Sequence, residues 1–177
     1  MTMRTATGRL WQTVHQLRED LLALRLQAVE DRPLGESNKL VDDVGTVCET
    51  LTGWAEEILD GAARAVAAAD PPDDPPDLAG IRRALDACTD RVERLGAQLH
   101  AELTATGCLD NLNALARRGT PELRAWVGAI KRALDQTQQS LWTAHAALTA
   151  CWRELADRAV PGPAPEPTEA TDTARRT

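Results

Sequence analysis

The chain of 177 residues has no tyrosine and no phenylalanine, and its five tryptophans are its only aromatic side chains. Strands draw heavily on Tyr, Phe, Val, Ile and Thr, so a sheet-rich fold is disfavoured. Lysine occurs twice against eighteen arginines. That imbalance reads as the coding bias of a GC-rich, bacterial genome rather than a design for phosphate contacts. Ser37 and Ser140 are the only serines, and neither sits in a nucleophile pattern. There is no GxxxxGK[ST] and no GxGxxG, so nucleotide binding has no local support. The residues three before His15, His100 and His145 are Gln12, Ala97 and Trp142. The Glu-x-x-His motif of di-metal bundles is therefore missing.

Other absences narrow the setting. No apolar run approaches the roughly 20 residues of a membrane span. The first 30 residues carry Arg9, Arg18, Glu19 and Asp20 and lack an apolar signal-peptide core. The net charge of −7 opposes binding to nucleic acid or an anionic membrane. Cys48, Cys88, Cys108 and Cys151 form no CxxC pair and read as reduced, mostly buried thiols. The expectation is a cytoplasmic protein with no cofactor, no metal, no nucleic acid and no membrane partner.

What is present is helix-forming. Ala, Leu, Arg, Glu and Asp dominate. Eight of the ten prolines fall in DPPDDPPD at 70–77 and in the tail, and the other two, Pro33 and Pro121, mark helix ends. Between them, apolar residues recur in alternating steps of three and four. The stripes are Leu10, Val14, Leu17, Leu21, Leu24 and Ala28; Val41, Val44, Cys48, Leu51, Ala55, Ile58 and Ala62; Leu78, Ile81, Leu85, Cys88, Val92, Leu95 and Leu99; and Leu123, Val127, Ile130, Leu134, Thr137, Leu141, Leu148 and Leu155. A second row (Leu22, Leu26 and Val29; Val47, Trp54 and Leu59) widens the seam beyond a two-stranded coiled coil.

The fold expected is all-α: an antiparallel up-down-up-down four-helix bundle, with a short extra helix before the last helix and a disordered C-terminal tail. Helices are expected over roughly 9–31, 38–69, 78–106, 108–118 and 121–158, in one domain spanning about 1–158. Residues 70–77 link two helical hairpins, and 159–177 form the Pro-rich tail. Ser37 or Asn38, Asp77, and Thr120 before Pro121 and Glu122 supply caps. At about 1.5 Å per residue the second hairpin outruns the first. The short helix must fold back over Trp126 and Ile130, or that end must bind something.

The functional expectation is a non-enzymatic interaction module that docks a protein partner or itself through helical faces. The candidate contacts are Cys108, Leu109, Leu112, Leu115, Trp126 and Ile130, with Gly45, Gly53 and Gly61 as a second, close-packing line. Leu112→Asp should then disrupt assembly without unfolding. The alternative is a small-molecule binder with a pocket near Trp142, His145 and Trp152, which recur along one side of the last helix. A third reading comes from HQLR at 15–18. His15, Leu17 and Arg18 resemble the H-x-L-K-G pattern of histidine phosphotransfer domains, with Glu19 where that pattern has glycine. The resemblance covers four residues and implies a phosphorylated His15 on a four-helix bundle.

Overall fold

Proline and capping chemistry divide the chain where the apolar stripes break. The computed structural model describes residues 1–33, 39–71, 75–105 and 108–159, and of residues 39–44, 102–105, 108–109 and 159 only the helical backbone. The described residues are all-helical: α1 (Met3–Arg25) with a π-helical turn at Leu26–Glu30, α2 (Lys39–Ala69), α3 (Leu78–Ala105), α4 (Cys108–Arg118) and α5 (Pro121–Ala159). No helix among them is long and apolar enough to cross a membrane. The expected caps at Ser37 or Asn38, the seam positions Val41 and Val44 and the tail from Val160 onward lie outside what is described.

The caps that are described act as the sequence suggests. Asp77 accepts a hydrogen bond from the Gly80 amide at 2.9 Å, and the Thr120 hydroxyl accepts from the Leu123 amide at 3.3 Å. The Glu122 backbone amide, then the Thr120 hydroxyl, hold the Glu122 carboxyl below its ordinary range. Helix α1 starts six residues earlier than expected from its stripe. Thr2 caps it by accepting from the Thr5 amide, and Met3 and Ala6 extend the buried stripe backwards from Leu10.

The stripes form one core. Helix α1 packs on α2 and α5, α2 packs on α3, and α3 meets α5 much less extensively. Helix α4 lies against α5 and α3. Ion pairs join Arg4 to Asp70, Arg18 to Glu56 and Arg25 to Glu49 between α1 and α2, and Arg91 of α3 to Glu57 of α2. These surface pairs fix order more than they add stability. Gly61 sits where α2 and α3 approach closely. A Cβ there would lie 2.7 Å from the Cys88 sulfur.

Three features depart from the simple stripe, one of them Leu78 at the start of α3, which is exposed. Leu26 and Val29, expected to widen the seam, are exposed. The Asp31 amide bonds the Leu26 carbonyl, an i→i+5 step that inserts one residue into the turn, and Ala28 within that turn stays buried. Asp20, one of the charged residues near the start of the chain, is 8% exposed. Gln16 donates to its carboxylate at 3.0 Å, and Ser140 and Gln136 of α5 also donate to it. Buried polar groups persist only when bonded, so this cluster fixes the register of α1 on α5.

The short helix folds back. Leu112 is 2% exposed, Trp126 5% and Ile130 2%, and the Trp126 indole donates to the Gln27 carbonyl in the π-helical turn at 2.6 Å. These three are internal packing residues, because α4 and the end of α1 together cover the overhanging part of α5. Leu115 is partly buried on the same core. The side chains of Cys108 and Leu109 lie outside the described residues.

Three stability results are expected. Leu112→Asp places an unpaired charge in the core, so it should lose about 3 kcal/mol or more in urea unfolding with reduced helicity, contrary to the assembly-only effect expected from sequence. Asp20→Ala strands Ser140 and Gln136 and should cost about 2 kcal/mol by the same measurement. Burial pushes the Cys88 thiol up to about 11, against a smaller lowering by Arg64, and burial with Cys88 nearby pushes Cys151 up to about 12. An unfolded thiol ionises near about 8.5, so the contribution of both thiols is complete below that pH and is lost as pH rises through 11 to 12. Denaturant titrations over this range should show a falling stability that flattens in the Cys88→Ala/Cys151→Ala variant.

Candidate functional site

The weakest seam of the core is α3 against α5, and its residues explain why. On α3, Gly96 faces Leu141 and supplies no side chain, and its neighbour Ala97 is exposed at the groove rim. On α5, Ser140, Ala144 and Ala147 are buried, and Ser140 is drawn to Asp20 on α1. Leu141 is left to bridge the seam. A Cβ on Gly96 would touch its Cδ2 at 3.5 Å, an ordinary contact.

Above that contact opens a groove of about 490 Å³. Its floor is Val92, Gly96, Leu99 and Leu141, and its rim is Glu93, Ala97, His100, Gln138, Trp142 and His145. The lining recurs every three or four residues on both helices, so one face of each builds it. Trp142 stands at the rim with 75% of its surface exposed, the most exposed large apolar side chain in the described residues. Leaving that much indole in water forgoes about 3 kcal/mol of burial.

The face is also nearly uncharged. Residues 136–152 of α5 contain no Asp, Glu, Lys or Arg, nor do residues 95–101 of α3, in a chain that is 27% charged. No other uncharged stretch is as long as 136–152. Six of its residues, Gln136, Gln139, Trp142, Thr143, His145 and Ala146, are exposed. Exposed helix faces normally carry charge, and loss of charge with retained Trp is the compositional mark of an interface centre. This signal was available in the sequence. A search for catalytic spacings passes over it, because it consists of residues that are missing.

The sequence-derived candidates divide accordingly. Trp142 and His145 do share the groove. Trp152 is not part of it: half-buried further along α5, its indole donates to the Thr89 hydroxyl at 3.0 Å and ties α5 to α3. The glycine line does not form one face. A spacing of eight residues rotates each position about 80° beyond the last at 3.6 residues per turn. Gly45 meets Val29 of the π-helical turn, Gly61 meets Cys88 of α3, and Gly53 has nothing within 4 Å.

His15 is exposed on α1, its ring 5.5 Å from that of Trp11, while Leu17 beside it is buried and Arg18 pairs with Glu19 and Glu56. Cys48, Cys88 and Cys151 are buried, and burial holds the Cys88 and Cys151 thiols in the unreactive protonated form. Among the described residues, no three His, Cys, Asp or Glu side chains converge as a metal ion would require. A second groove, between α2 and α3, is lined by Glu57, Asp60, Arg64, Asp90 and Arg91, which is solvated surface chemistry. No family model, curated protein or solved structure matches this chain.

Proposed function

We propose that this protein is a non-catalytic bacterial interaction module of the cytoplasm, and that it docks another protein surface on the α3–α5 face. In this reading α1, α2, α3 and α5 form an antiparallel up-down-up-down four-helix bundle in a single domain, closed at one end by α4. The order of the tying pairs supports that arrangement, since Arg4 meets Asp70 while Arg25 meets Glu49. Trp126 at the start of α5 likewise meets Gln27 near the end of α1.

One observation carries the functional reading: an exposed tryptophan stands over an apolar groove on the longest uncharged surface of the chain. Tryptophan is the residue most enriched at interface hot spots, where it fills a pocket ringed by near-neutral contacts. The contact site therefore moves from the α4 end, where the sequence reading put it, to α3 and α5.

A small-molecule binder is the second reading, favoured by the groove volume of about 490 Å³, which lies in the range of ligand pockets. The groove is open along one side, which suits side chains inserted from a protein better than a ligand that must be mostly enclosed.

Trp142→Glu and Ala97→Glu both place charge on exposed positions, so each should leave the thermal midpoint within a few degrees of the parent. Affinity capture of the tagged protein from its native host should recover a stoichiometric companion, another protein or an untagged copy of the chain, that both variants lose. A companion retained by both variants would contradict the assignment of this face. Saturable quenching of tryptophan emission by a metabolite, abolished by His145→Ala, would favour the small-molecule reading instead.

A further inference from the structure

The occupant of the α3–α5 face can be narrowed by asking what else on the molecule matches it. The groove accepts an apolar, flat group, and the face that carries the groove also carries one. Trp142 projects from the rim, 75% exposed, beside a floor of Val92, Leu99 and Leu141. A projection and a cavity on one surface make that surface complementary to itself, which is the requirement for a twofold interface.

Charge points the same way. Two chains of net charge −7 repel over most of their surfaces. Residues 136–152 and 95–101 are where they can meet with the least repulsion, and among the described residues Glu93 is the only formally charged group lining the groove. A partner of opposite charge would instead be met by an acidic surface, which this face does not provide.

We propose that the α3–α5 face is occupied by a second copy of this chain, related by a twofold axis crossing the groove, with Trp142 of each copy seated over the Val92–Leu99 floor of the other. Each groove is then completed by its partner copy's tryptophan. The inference rests on the reading of this face as a docking surface, and it has its own test.

Light scattering coupled to size exclusion, with sedimentation equilibrium over a dilution series up to about 100 µM, gives the mass and the dissociation constant. The expected result is a dimer that dissociates on dilution. Trp142→Ala should raise the dissociation constant about 30-fold or more, because each dimer loses two hot-spot side chains. Trp11→Ala, which removes an exposed tryptophan from α1, should leave it unchanged. Circular dichroism of both variants should match the parent, since neither side chain is core. A parent that stays monomeric throughout, or a dimer that Trp142→Ala does not weaken, overturns the proposal. A monomer that still captures a different host protein through Trp142 would overturn the second copy while leaving the docking face in place.

Discussion

Gly96 gives α3 too little volume to fill the seam with α5 where Leu141 crosses it, while Ser140, Ala144 and Ala147 commit the neighbouring face of α5 inward. Leu141 spans what remains. The rest of the core also contains alanines, Ala55, Ala62 and Ala65 among them, alongside Leu, Ile and Val. A void of this size inside the core would cost several kcal/mol. At the surface the same shortage leaves an open groove, and the cost becomes an unburied tryptophan and an uncharged strip of helix. The groove, the exposure of Trp142 and the preference for a second apolar surface all descend from that single packing constraint.

The rest of the fold serves to hold α5 in place. Polar ties act along its length, among them three to α1 and α3. Trp126 reaches the carbonyl of Gln27, Ser140 and Gln136 reach Asp20, and Trp152 reaches Thr89. Each is a buried or half-buried bond that only one register satisfies, which is how polar groups in an apolar core impose uniqueness. The first two bind α5 to α1 and the third binds it to α3. Between the last two lie Leu141, Trp142 and His145, so the groove sits in a span fixed at both ends. A rigid site loses less freedom when something docks in it.

Much of this was legible before any coordinates. The three-four spacing marks the helices, and proline with Asp77 or Thr120 marks their starts, because both signals depend on local backbone chemistry. The buried stripe was readable almost residue by residue. The features that escaped depend on which helix lies opposite. Asp20 looks like any surface acid until Ser140 is brought to it. Leu26 and Val29 continue an apolar row in the sequence, yet both are exposed at the end of α1. Whether α4 folds back over Trp126 and Ile130 or leaves that end to a partner stayed open, because the path of α4 is not encoded in its own periodicity. Gly45, Gly53 and Gly61 looked aligned because equal spacing was taken for a shared face, and eight residues is not close to a whole number of helical turns. Among the groove residues, Trp142 and His145 were found as a stripe and Trp152 was wrongly joined to them. A side chain's position on one helix does not say whether a neighbouring helix has already engaged it.

The central claim, that the α3–α5 face meets another apolar protein surface, is tested most directly by fluorine NMR of protein carrying 5-fluorotryptophan. The five tryptophans give five resonances, and Trp142 is assigned by its loss in Trp142→Leu. The solvent isotope shift of each resonance, read across a concentration series, reports how much water reaches that ring. The account predicts that Trp142 loses its isotope shift as concentration rises, while Trp126 and Trp152, already engaged within the chain, stay constant. A Trp142 ring that remains fully solvated at every concentration, and with host extract added, would contradict it.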